Sequence, residues 1–403
     1  MLPNLVVLAS ALAVAIALTL PQVRRSRLWA ATVTPLASII GSGFLVSGPL
    51  LASIAGKYAV FLMAALCLSA YAIGSAIRFN ILHAEPRLKD MRREPFLGFV
   101  ENLSRLCLSA SYLISICFYV QLLSAFVLHD TGNGNTHSAN LLSSAILAFL
   151  GVVGLTKGFR QLERLEELAV TVKLALIAGL FAGLAHFNIM SALDATWRLP
   201  VDDVQLDSHV VRVALGSLLI VQGFESSRYL GHVYNPAERV RSMRNAQLIS
   251  TGIYLGFILL AITFLDPSLP ARETAIIDYA ARIAPILPIL LIIGAASAQF
   301  SAAVADFVAG AGILVQSVPG LKEKWLYPLI ALVAIWLSWT SNVFEVLTFA
   351  SRGFAAYYLL QCVQSIVVVA GNRAGVRLMA DLGLFLFGAA VSAAVLLFGI
   401  PIH

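Results

Sequence analysis

Stretches of about 20 apolar residues, the length that an α-helix needs to cross the hydrocarbon core of a bilayer, recur along this whole sequence. Only 12% of its 403 residues are charged, against roughly 25% in a soluble domain. The segments between the apolar stretches are too short to fold separately. We therefore predict an all-α polytopic membrane protein.

The apolar pattern predicts about twelve transmembrane helices. They are placed at residues 3–20, 29–54, 58–83, 97–129, 139–156, 162–186, 209–234, 246–265, 275–315, 325–340, 343–370 and 378–399. The net charge of +6 comes from Lys and Arg in the short loops between them, so it indicates orientation and no nucleic-acid partner.

The first apolar stretch, Met1–Leu20, predicts a helix that is retained. No basic region precedes it, and Arg24, Arg25 and Arg27 follow it, which is the reverse of a secretory signal. When the helices alternate through the bilayer, the Lys- and Arg-rich loops all fall on one side. That side is predicted to be cytoplasmic, which leaves both termini outside.

The helices also predict an internal repeat. An extra helix at 1–20 precedes a first block of five helices at 28–186, and a second block of five occupies 205–370. One further helix follows at 376–400. Because five is an odd number, the second block enters the membrane from the opposite side, which is the geometry of an inverted repeat.

Each block opens with a helix that glycine interrupts. The first contains Gly41-Ser42-Gly43, and the second contains Gly216 and Gly223. Unwound backbone at membrane depth frees amides that attract an anionic group and carbonyls that attract a cation, which together suit a zwitterion such as an amino acid. Close packing between helices is the alternative interpretation of such glycines.

Three motifs stand out: Ile40-Gly41-Ser42-Gly43-Phe44, then Gly223-Phe224-Glu225 followed by Tyr234-Asn235-Pro236-Ala237-Glu238-Arg239, and Gly158-Phe159 leading to Lys173. Together they resemble the amino acid–polyamine–organocation (APC) superfamily of permeases, whose members share the LeuT fold. The resemblance implies a secondary active transporter for an amino acid or related amine, driven by protons. It also implies the inner membrane of a bacterium.

The resemblance also assigns a substrate site. Amides at Gly41, Ser42 and Gly43 would hold a carboxylate, and backbone around Leu219, Gln222 and Gly223 would hold an amino group. Leu219 departs from the pattern, because many members have an aromatic gate there. Tyr112 and Tyr119, seven residues apart on the third helix of the fold, either line the cavity or pack in the core.

Charged residues inside the membrane are costly and need a reason. Lys173 matches a lysine of proton-coupled members, with Ser297 and Ser301 as its expected neighbours on the eighth helix of the fold; snorkelling to the surface is the alternative. Glu225 is the second candidate for proton coupling. The alternative is a structural pair with Arg228, three residues along the helix.

Other functions of the same chain remain open at this point. Sodium coupling or exchange would keep the fold and change the driving ion, while a sensor or scaffold would not transport at all. An enzyme is the weaker rival, because the sequence has no phosphate loop and no zinc motif. No cofactor or metal is predicted, and the four cysteines are interpreted as buried inert thiols.

The orientation can be tested with introduced cysteines in a background without the native ones. A cysteine at Asn135 is expected to react with an impermeant thiol reagent in intact cells. A cysteine at Lys89, in a basic loop, should react only after the membrane is opened. Labelling in the opposite pattern would contradict the predicted topology and the helix assignment behind it.

Overall fold

The structure, a computed structural model, describes residues 2–41, 43–88, 94–129, 135–156, 163–199, 207–231, 233–265, 272, 274–317, 320–371 and 376–402. All regular structure in these residues is helical, which confirms the predicted fold class. The α-helices are α1 (Leu2–Thr19), α2 (Pro21–Arg24), α3 (Arg27–Gly41), α4 (Phe44–Ala55), α5 (Ala59–His83), α6 (Glu85–Leu88), α7 (Pro95–Leu128), α8 (Thr136–Thr156), α9 (Glu163–Leu193), α10 (Ser208–Gly216), α11 (Ser226–Tyr229), α12 (Pro236–Ala261), α13 (Ala275–Ile283), α14 (Leu287–Ser317), α15 (Glu323–Thr340), α16 (Val343–Ala370) and α17 (Val376–Phe398).

Eight stretches of the described residues are long and apolar enough to cross a membrane. The pieces of an interrupted helix are too short to meet that criterion singly, since α3 has 15 residues and α10 has 9. The long helix α7 lies at the centre, where it packs against α14 and α16. Helix α12 packs against α3 and α5, and α8 packs against α15.

Three predicted boundaries were wrong, and the first is the end of the span 162–186, which continues as α9 to Leu193. The span 275–315 is divided into α13 and α14, because Ala284 is extended before Pro285, and proline disfavours a helical conformation in the residue that precedes it. The span predicted from 246 begins at Pro236 instead. There Asn235 and Glu238 form a capping box, with each side chain accepting a hydrogen bond from the other's backbone N–H.

The N-terminal helix α1 packs along α9. Val7 is fully buried in this contact, and a Cβ added at Gly179 or Gly183 of α9 would lie 3.0 to 3.1 Å from atoms of Val7. These two glycines, four residues apart, let the helices approach closely. Elsewhere α1 exposes leucines such as Leu5 and Leu12, as expected of a helix at the lipid boundary.

Ion pairs tie several helices together at the end predicted to be cytoplasmic. Arg228 of α11 lies 2.9 Å from Glu101 of α7 and 3.6 Å from Glu85 of α6. Arg239 of α12 forms two hydrogen bonds to the Glu85 carboxylate, at 3.0 and 2.7 Å. Glu101 also accepts from Arg105, as the spacing of these two residues predicts. The network therefore joins α6, α7, α11 and α12.

Replacing Arg228 by Met should destabilise the protein by about 3–5 kcal/mol, because buried Glu101 would lose its partner on α11. Thermal unfolding in detergent measures the loss. Arg241→Met, at an exposed position of α12, is the control and should leave unfolding unchanged. A full loss with Arg241→Met, or none with Arg228→Met, would contradict this account of the network.

Candidate functional site

The first broken helix ends at Gly41 and resumes at Phe44, as the glycines predict; Ser42 lies outside the described residues. A Cβ added at Gly41 would lie 3.2 Å from Lys173 Nζ and 3.4 Å from Ala302 Cβ. One added at Gly43 would lie 3.2 Å from Ile220 Cγ1. Both glycines therefore serve close packing around the break, and the first turn of α4 begins there with backbone amides to satisfy.

The second broken helix is interrupted for longer. Helix α10 ends at Gly216, one 3-10 turn covers Leu218–Val221, Gln222 is extended, and α11 starts at Ser226. Gly223 has φ = +117°, a conformation that favours glycine. A Cβ at Gly223 would lie 2.7 Å from the Ile39 nitrogen, so this break packs directly on the first. Leu219 is held by its N–H, which donates to Ser351 of α16 at 2.8 Å.

One tyrosine hydroxyl connects the two breaks. Tyr254 of α12 is fully buried, and its hydroxyl lies 2.9 Å from the Ile39 carbonyl and 2.5 Å from the Ile220 carbonyl. These carbonyls belong to the last turn of α3 and to the 3-10 turn of the second break. Helix interruption exposes such acceptors, and a hydroxyl from a continuous helix supplies the donor that the bilayer cannot.

A buried polar cluster lies beside the second break. Glu225 accepts hydrogen bonds from the Gly223 N–H at 3.0 Å and from the Tyr358 hydroxyl at 2.8 Å, with the Tyr112 hydroxyl at 3.5 Å. Gln222 donates to the Tyr119 hydroxyl at 3.4 Å. The structure thus brings together five of the predicted site residues from two parts of the chain. Tyr358, on α16, was not predicted.

The alternative of a pair between Glu225 and Arg228 is wrong. Arg228 binds Glu101 and Glu85, and the donors to Glu225 are hydroxyl and backbone groups. The two side chains are three residues apart in the sequence, but helix α11 begins only at Ser226. Glu225 therefore lies in the interruption, where the helical spacing argument does not apply.

Lys173 lies at the first break. Its side chain is buried, and the Nζ atom donates to the Ala37 carbonyl in α3 at 3.1 Å. This contact directs the ammonium inward to the broken helix, where Gly41 leaves space for it, and not to a membrane surface. A cavity of about 40 Å³ adjoins the lysine between α9 and α14.

The structure does not bring Ser297 or Ser301 to this lysine, which corrects that expectation. Ser297 is exposed and donates to the Ile293 carbonyl of its own helix at 2.8 Å. Ser301 is half-buried and does not line the cavity. Ala298 and Ala302 are the α14 residues beside Gly41. An error of one residue rotates a helical side chain by about 100°, enough to turn it away.

Asp306 also belongs to the buried polar region, although no role was predicted for it from the sequence. It is almost fully buried on α14, and Ser115 of α7 donates a hydrogen bond to its carboxylate. Ser115 lies one turn from Tyr112, so Asp306 reaches the same depth of α7 as the cluster. Two features of the sequence could have indicated this role for Asp306. It is a lone acid in an apolar helix, and α7 carries Tyr112, Ser115 and Tyr119 at helical spacing.

Gly223→Ala should destabilise the protein, because the new methyl group would meet the backbone of Ile39 and the residue would keep a strained φ. The strain alone is worth about 1–3 kcal/mol. Gly252→Ala is the control, since a Cβ there meets nothing within 4 Å and alanine favours the helix. Equal unfolding temperatures for Gly223→Ala and the parent protein would refute the close approach of the two breaks.

Comparison with known proteins identifies the family of this chain. The family model described as APC superfamily transporter matches residues 21–399, which leaves α1 outside the match. An uncharacterized protein of Aquifex aeolicus (strain VF5) is 42% identical over 349 residues, which cover 85% of this chain and 84% of that relative. The chain is therefore an integral membrane protein that belongs to the APC superfamily of transporters.

Proposed function

We propose that this protein is a proton-coupled secondary transporter of an amino acid or related amine. It works by alternating access around its two broken helices, within the inverted repeat predicted for residues 28–186 and 205–370. It lies in the inner membrane of a bacterium with both termini outside. The observation that carries the proposal is the buried ammonium of Lys173 on the Ala37 carbonyl, beside the first break.

Lys173 supports proton coupling because it links a titratable charge to a helix interruption. Its amine can exist with or without a proton, and it contacts the helix that is interrupted at the first break. In its charged form the lysine binds a carbonyl of α3, and in its neutral form this attraction weakens. Protonation would thus favour one arrangement of α3 relative to α9, and coupling requires such a bias between two conformations.

The breaks and the polar cluster support a substrate with an ammonium group. The start of α4 would offer amides to a carboxylate, and Gln222 and Glu225, at the second break, would bind a cation. Tyr112, Tyr119 and Tyr358 supply hydroxyls and aromatic faces. An amino acid or an amine fits these donors and acceptors.

Two alternatives to proton-coupled transport are sodium coupling and a sensor that does not transport. Sodium coupling needs an ion where Lys173 places its ammonium, and two cations at one buried carbonyl repel each other, so we favour the proton. A non-transporting sensor would bind a ligand without flux. A thermal-shift screen of the purified protein against amino acids and amines identifies the ligand, because binding only to the folded state raises its stability.

Lys173→Ala should retain binding of the ligand from that screen and lose accumulation driven by a pH gradient. Uptake into proteoliposomes, with and without an imposed gradient, measures the effect. Lys57→Ala, at an exposed lysine, is the control and should accumulate normally. Accumulation by Lys173→Ala equal to that of the parent protein would refute the coupling role and make Glu225 the better candidate.

Gly43→Leu should abolish uptake by the molecules that still fold, because the side chain would occupy the first break. Close packing alone predicts a different result: less folded protein, with uptake falling in proportion. Uptake is therefore compared per folded molecule, counted by size-exclusion chromatography in detergent. Gly383→Leu, where a Cβ would meet nothing within 4 Å, is the matched control. Unchanged specific uptake in Gly43→Leu would exclude a substrate role for this break.

A further inference from the structure

The cavity beside Lys173 is lined almost entirely by apolar side chains. Ile40 and Phe44 border it from the first broken helix, Leu176 from α9, and Ala295 from α14. Two polar side chains complete the lining, Lys173 and Gln299. The volume of about 40 Å³ is enough for a few water molecules, and a water there needs polar partners on the wall.

Gln299 is the polar group of α14 at this cavity. Its side chain is 5% exposed, and its Oε1 atom is buried with no hydrogen-bond partner among the described residues. Leaving a buried carbonyl oxygen unsatisfied costs stability, so such an atom in a folded protein calls for an explanation. A leucine at this position would complete the apolar wall without that cost.

The ammonium of Lys173 is the hydrogen-bond donor that lines the same cavity as Gln299 Oε1. An ammonium group has three N–H donors, so it can bind several acceptors at once, the Ala37 carbonyl among them. Water in the cavity can accept from Nζ and donate to Gln299 Oε1. An acceptor of this kind favours the charged lysine over the neutral one, because hydrogen bonds to a charged group are the stronger.

We propose that Gln299 is a positioning residue for the proton on Lys173, joined to the ammonium through water in the cavity between α9 and α14. It replaces the serine neighbours expected from the sequence as the link to α14. The proposal rests on the proposed function, because Gln299 would couple the position of α14 to the charge of Lys173 on α9. Its first test needs only protons, so it can fail or hold independently of transport.

Other titratable groups near these helices are engaged elsewhere. Asp306 of α14 accepts from Ser115, Tyr254 of α12 bonds the carbonyls of the two breaks, and Asp278 of α13 lies beside His129. Helix α1, which also packs on α9, has no charged residue. Within the described part of the chain, Lys173 is the one titratable group that lines the cavity.

Competitive labelling with acetic anhydride across a pH series tests the proposal, because only the neutral amine reacts. Mass spectrometry gives the labelling of Lys173 relative to exposed Lys57 in purified protein. Gln299→Leu should move the midpoint of the labelling curve of Lys173 to a pH about one unit lower, which is a tenfold change in proton affinity. Gln299→Glu, which places a carboxylate at the same length, should move it toward alkaline pH.

A merely structural glutamine would not give opposite shifts in these two variants. If Gln299→Leu fails to fold, Gln299→Glu carries the test, and Ser297→Ala on the exposed side of α14 is the control. Midpoints equal to that of the parent protein in both Gln299 variants would overturn the proposal. Shifted midpoints without uptake driven by a pH gradient would support the role of Gln299 and refute proton-coupled transport.

Discussion

The structure depends on how two interrupted helices satisfy their backbone away from water. A bilayer offers no donors or acceptors, so each carbonyl and amide released by a break needs a partner in the protein. Here the breaks pack on one another at Gly223 and Ile39, and the Tyr254 hydroxyl reaches a carbonyl from each. Because this hydroxyl comes from the continuous helix α12, the three segments form one unit, and the cluster around Glu225 adjoins it.

The charged groups divide into two kinds of environment. Near the predicted cytoplasmic end, the arginines and glutamates neutralise each other, as Arg228 does with Glu101 and Arg239 with Glu85. Deeper in the bundle, Glu225 and Asp306 form no ion pair among the described residues and accept from hydroxyl and backbone groups instead. Removing one partner of a buried ion pair leaves an unpaired charge, whereas these two acids are stabilised by neutral donors.

The sequence predicted the features that follow from local chemistry. Hydropathy identified the membrane helices, and the glycines at 41 and 223 located both interruptions. The sequence pattern fails where a single residue changes the outcome. Pro285 interrupts a span predicted to be continuous, and Ala298, not Ser297, lines the cavity beside Lys173. The partners of Arg228 lie 127 and 143 residues away along the chain, so no local spacing could reveal them. The capping box at Asn235 was readable but overlooked.

The N-terminal helix α1 lies outside the family match, yet it is packed on α9, the helix that carries Lys173. Val7 of α1 packs against Gly179 and Gly183 of α9. If α9 tilts, α1 either moves with it or separates from it at this contact. The first outcome enlarges the part of the protein that moves through lipid, and the second exposes two glycine surfaces to acyl chains. In both cases the thickness and order of the surrounding bilayer enter the energy difference between the transporter's conformations.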